Sequence, residues 1–152
     1  MTTNQLNRLR DVVILLLVLL IIQFEFGMAV NLSDLPSLSP FSFSLINLIG
    51  ALNQAGAIAL THATLGTFLV LVAITNLVMS LTSKVKSAQI LGILGLLTMG
   101  LAEACGVLFT LSGFQNDNYS HGMATNFILT FGFYFLELYV LKPNQVPNSN
   151  AK

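Results

Sequence analysis

Asp11-Val-Val-Ile-Leu-Leu-Leu-Val-Leu-Leu-Ile-Ile22 sets eleven consecutive aliphatic residues behind one carboxylate, and the apolar character continues through Phe24, Phe26 and Met28 to Val30. A helix rises about 1.5 Å per residue, so crossing a hydrocarbon layer about 30 Å thick takes about 20 mostly apolar residues. Residues 12–30 meet that requirement, and so do 56–81, 88–111 and 121–141. The expected fold class is therefore all-α, a transmembrane four-helix bundle forming one membrane domain over the 152 residues.

The composition agrees. Hydrophobic residues make up 55% of the chain and charged ones 8%, with a mean hydropathy of +0.81, too little charge to solvate a globular surface. Six Lys/Arg balance six Asp/Glu, leaving no basic face for nucleic acid. Cys105 stands alone, so neither a disulfide nor a cysteine-ligated zinc or iron–sulfur centre is expected.

The first span, behind Arg8 and Arg10, shares its layout with a signal peptide. Without a small-x-small cleavage pattern it reads as a retained anchor. All six cations fall at one set of helix ends: Arg8, Arg10, Lys84, Lys86, Lys142 and Lys152. The positive-inside rule then places both termini in the cytoplasm, and the loops 31–55 and 112–120 outside a cell membrane crossed several times. Asn31-Leu-Ser33 and Asn118-Tyr-Ser120 in those outer loops match the glycosylation acceptor pattern. Pro36 and Pro40 interrupt any helix early in the longer loop. Beyond them Phe41, Leu45, Leu48, Ile49 and Leu52 recur at helical spacing, as expected either for an interfacial helix over 41–52 or for an extension of the second span. The polar tail 143–152 is expected to be loose.

Charged groups inside hydrocarbon cost about 2.5 to 3.5 kcal/mol on insertion scales, so each one there requires an explanation. Counting from the cytoplasmic boundary at 1.5 Å per residue puts His62 and His121 at about the same height, roughly 32 Å up, near the outer edge of the layer. Glu25 and Glu103 also fall in the outer third. Glu137, five residues from Lys142, is expected to lie in the inner headgroups. Small residues surround the histidines: Gly66 lies one turn beyond His62, and Ala124 and Thr125 follow His121. In a bundle of antiparallel hairpins the second and fourth spans can lie on a diagonal. Two inward histidines there can supply both axial nitrogens of a haem, with Gly66 giving room and Thr125 orienting an imidazole.

The order of these features resembles one four-helix half of the heme A synthase family. The matching positions are Gly27 in Phe26-Gly-Met-Ala-Val-Asn31, His62 in Thr61-His-Ala-Thr-Leu-Gly66 and His121 in Ser120-His-Gly-Met-Ala124. The resemblance implies a four-helix unit whose paired histidines hold a b-type haem on the outer side. Ile58 and Ala63 stand where that family carries a glutamate and an arginine, so its haem-modifying catalysis is not implied.

A haem ligated on both faces passes electrons rather than activating a substrate, so the leading expectation is an electron-transfer component or subunit of a respiratory membrane complex, not an independent enzyme. Its partners would be the lipid bilayer, other membrane subunits, and a quinone or another redox partner. Two alternatives stand beside it. Glu25, Glu103, His62 and His121 can form a non-haem copper or di-iron site, or the chain can be a cofactor-free accessory subunit packed by its glycine-rich third span.

Overall fold

A computed structural model describes residues 3–142; the 143–152 tail and its Lys152 lie outside the described residues. Five helices follow in order: α1 (Thr3–Asn31), α2 (Leu45–Ala55), α3 (Ala57–Thr82), α4 (Lys86–Leu111) and α5 (Asp117–Val140). Four of them are long and apolar enough to cross a membrane. The all-α bundle expected from the four apolar runs is thus the observed architecture.

Boundaries move where polar residues continue a helix beyond its apolar run. Helix α1 begins at Thr3 rather than at residue 12, because Leu9 extends the spacing of Val13, Leu16 and Leu20, and all four are buried. Helix α5 begins at Asp117 rather than at 121, where the Asn116 side chain accepts from the Asn118 backbone N–H at 3.2 Å. The α3 C-terminus is closed by Gln89, whose Nε2 donates to the carbonyls of Leu81 (3.2 Å) and Ser83 (2.7 Å).

The loop 31–55 does hold a helix of its own, shifted from 41–52 to Leu45–Ala55. Ser44 caps it by accepting from the Asn47 N–H at 3.1 Å, and Gly56 at φ 95° separates it from α3. Phe41 instead belongs to a strap: its N–H donates to the Leu111 carbonyl at 3.1 Å, and the Leu38 N–H donates to that of Gly113 at 3.2 Å. Gly113 has φ 71°, and a Cβ there would run into the Leu38 backbone.

Helix α1 packs on α3 and α5, and α4 packs on the same two, so the pairs α1/α4 and α3/α5 face each other across the diagonals. Full burial concentrates toward the cationic end, the end that carries Arg8, Arg10, Lys84, Lys86 and Lys142. There Leu9, Val13, Leu16, Leu69, Tyr134 and Leu141 are almost completely covered. Toward the α2 end most inward residues are only half-buried.

Glu137 does not reach the headgroups as expected. It has no exposed surface, and its carboxyl group spans the α3/α5 diagonal, with Asn76 Nδ2 at 2.9 Å and Ser80 Oγ at 2.5 Å from its two oxygens. Depth alone did not decide its environment; the direction it faces did. One turn and two turns before it, Tyr134 and Thr130 share that inward face.

Candidate functional site

In the half nearer α2, three helices bring polar side chains together. Gln23 and Gly27 lie one turn apart on α1, opposite His62 and Gly66, one turn apart on α3. The imidazole rests on the bare backbone of Gly27, where an added Cβ would stand 3.1 Å from His62 Cε1 and 3.8 Å from Nε2. Gln23 ties the helices by donating from Nε2 to the His62 carbonyl at 3.1 Å. Glu103 crosses from α4: a Cβ on Gly66 would overlap its carboxylate and would lie 3.1 Å from Gln23 Nε2. Glycines at 27 and 66 therefore leave room for the imidazole over one and for the Gln23 amide and Glu103 carboxyl over the other, where larger residues would keep the helices apart.

Two atoms of this cluster are buried without a hydrogen-bond partner among the described residues, His62 Nδ1 and Gln23 Oε1. A buried unpaired polar atom costs about 1 to 3 kcal/mol, more than a made bond returns.

The structure assembles only part of the expected set. His62, Gly66 and Glu103 come together; Glu25, His121 and Thr125 do not, and all three are exposed. His121 and Thr125 occupy the outward face of α5 with Ile128, while the inward face of the first turns carries Gly122 and Met123. Those two interlock with α4: a Cβ at Gly122 would lie 2.8 Å from Cys105 Sγ, and one at Gly106 would lie 3.2 Å from Met123 Sδ. The expected convergence of two imidazoles is therefore corrected. α3 and α5 do lie on a diagonal, but only His62 faces the interior. The four-residue copper or di-iron set likewise is not gathered, and among the described residues no three His, Cys, Asp or Glu side chains form a metal-holding group.

Gln23 was not among the expected site residues. Its signal is an amide inside an otherwise apolar run, one turn before Gly27. The buried polar residues of the opposite half, Asn76, Ser80, Thr98, Thr130 and Tyr134, were missed as well. On α5 their signal is the helical spacing of Asn126, Thr130, Tyr134 and Glu137. No protein family, curated protein or solved structure matches the chain.

Proposed function

We propose that the chain is an integral subunit of a membrane redox complex whose site at His62, Gln23 and Glu103 receives the hydroxyl-bearing headgroup of a quinol. The observation that carries this reading is the pair of buried unpartnered atoms, His62 Nδ1 and Gln23 Oε1, beside the Glu103 carboxyl. Neutral imidazole nitrogen and amide oxygen accept hydrogen bonds, so the pair calls for a donor. The surroundings are apolar and lie within a span, which suits an amphipathic ring arriving through lipid. By the cation distribution, the α2 end faces the exterior and both termini the cytoplasm of a cell membrane. Glu25 stands exposed among the exposed apolar residues Ile21, Ile22, Phe24 and Met28. A carboxyl on that surface is better accommodated against another subunit than against acyl chains, which supports the subunit reading.

Titration of the full chain in nanodiscs with short-chain benzoquinol and naphthoquinol tests the assignment. Saturable binding is expected, weakened about tenfold in His62→Ala, the factor for one hydrogen bond of roughly 1.4 kcal/mol. Unsaturable partitioning, equal in wild type and variant, overturns it.

The diagonal placement of α3 and α5 favours a second reading, a b-type haem between His62 and His121. It requires the first turns of α5 to rotate so that His121 and Thr125 turn inward. A reduced-minus-oxidised spectrum with sharp haem bands, lost in both His62→Ala and His121→Ala, would select this reading over the quinol site.

A further inference from the structure

Each half of the bundle holds an inward glutamate. Glu103 reaches from α4 over Gly66 of α3, which the Gln23 amide of α1 also approaches, and Glu137 reaches from α5 across the diagonal to Asn76 and Ser80 of α3. Polar groups occupy the axis between them. Thr130 of α5 meets Thr98 of α4 at 2.8 Å between hydroxyl oxygens, and Tyr134 follows Thr130 by one turn, its OH buried and unpartnered. Asn76 Oδ1, whose own Nδ2 binds Glu137, is unpartnered too. At 1.5 Å per residue, roughly 18 Å of axis separates the two carboxyls. Packing glue alone does not account for this row, since interhelical polar contacts in membranes average only about 0.6 kcal/mol, whereas the orphaned Tyr134 OH and Asn76 Oδ1 each carry a desolvation penalty.

The hydroxyls also have the freedom that relay requires. A threonine hydroxyl has one proton to donate and lone pairs to accept. Thr130 has two acceptors in reach, the Asn126 carbonyl and Thr98 Oγ1, both at 2.8 Å. Thr98 also has two, the carbonyls of Leu94 (2.9 Å) and Gly95 (3.2 Å). Thr130 can turn its proton from the carbonyl to the Thr98 hydroxyl, while Thr98 must turn away from the carbonyls of its own helix to pass one on. Gly92 and Gly95 of α4 keep this row open: a Cβ at Gly95 would lie 2.7 Å from the Tyr134 ring, and one at Gly92 would lie 3.3 Å from Ser80 Oγ.

We propose that the bundle axis is a proton path joining Glu103 to Glu137 through Thr98, Thr130 and Tyr134, with Glu137 the group that holds the proton. In each step the O–H bond of one group breaks as that of the next forms, with water completing the intervals, and no electron changes hands. Helix α3 brings the uncharged Asn76 and Ser80 to Glu137, and Gly92 of α4 lies behind both of them. Tyr134 precedes Glu137 by one turn on α5 and is buried with it, and at the same end of the bundle α1 carries the buried Leu9 and Val13 and the half-buried Arg10. Leu9 and Leu141 at the cationic end are both almost fully buried, and the proposed path exchanges with solvent along the axis from Glu103.

Infrared spectroscopy of the full chain in lipid, transferred from H2O to D2O, tests the path. A carboxylic-acid carbonyl band absent from Glu137→Gln is expected in the wild type, and it should shift as the proton exchanges for deuterium. In Tyr134→Phe, which removes only a hydroxyl without a partner and so leaves packing intact, the shift is expected to slow about a hundredfold, the scale of one positioned proton-transfer group. Thr130→Val should slow it similarly. The absence of any such band, or exchange at the wild-type rate in both variants, overturns the proposal. These readouts are independent of quinol, so failure of the ligand assignment leaves them standing.

Discussion

Gly66 has no side chain where the Glu103 carboxyl lies, and Gly95 has none where the Tyr134 ring lies. Substitution of either forces a neighbour to move. Gly66→Ala is expected to displace Glu103, with a carboxylate tip that can swing, so it should abolish quinol binding while costing little stability. Gly95→Ala meets a rigid ring held between helices and should cost about 1 to 3 kcal/mol. Gly100 is the control, because a Cβ there meets nothing within 4 Å and the residue is exposed. Gly100→Ala should stabilise by about 0.5 to 1 kcal/mol through helix propensity. Thermal unfolding of the three variants in one detergent, beside quinol titration, measures all of this; equal melting temperatures for Gly95→Ala and Gly100→Ala would remove Tyr134 from the place assigned to it.

Helix α2 depends on its ends more than on its packing, since Ala51 is its only buried residue. Ser44→Ala deletes the side chain that accepts from Asn47 and should cost about 1 kcal/mol. Gly56→Ala forces a Cβ onto φ 95°, a strain of about 1 to 3 kcal/mol. Both are expected to speed amide hydrogen exchange over Leu45–Ala55 and to leave α4 protected; uniform acceleration across the chain would instead mean that α2 is integral to the bundle. The exposed Leu45, Ile46 and Ile49 form the apolar side of this helix, in keeping with a position along the lipid boundary. The helix was legible in the spacing of its apolar residues, but its start was not. Phe41 fits that spacing equally well and is claimed by a backbone bond to Leu111, a contact seventy residues away that periodicity cannot report.

Across the whole bundle, the four spans could be read from apolar length because hydrocarbon leaves the backbone no other way to pair its polar groups. The constant rise per residue gives a height along the axis but no azimuth. By count His62 and His121 stand at similar levels, yet one packs against α1 and the other is exposed, because with a mostly apolar surface all round a helix the inward side is chosen by its neighbours. Glu137 is the same lesson in reverse, near an end by count and on the axis by direction. Orientation across the membrane depends on neither depth nor azimuth but on charge, and here the prediction is sharp. Lys84 lies in the short turn between α3 and α4 and Ser39 in the strap beside α2, both exposed. In a Cys105→Ser background, Ser39→Cys is expected to react in intact cells with a membrane-impermeant maleimide, and Lys84→Cys only after lysis. Removing Lys84 leaves four cations at its end among the described residues, Arg8, Arg10, Lys86 and Lys142, so the bias that sets the topology survives the test. The opposite labelling would place the His62 site on the cytoplasmic side, and a quinol bound there would exchange protons with the cell interior.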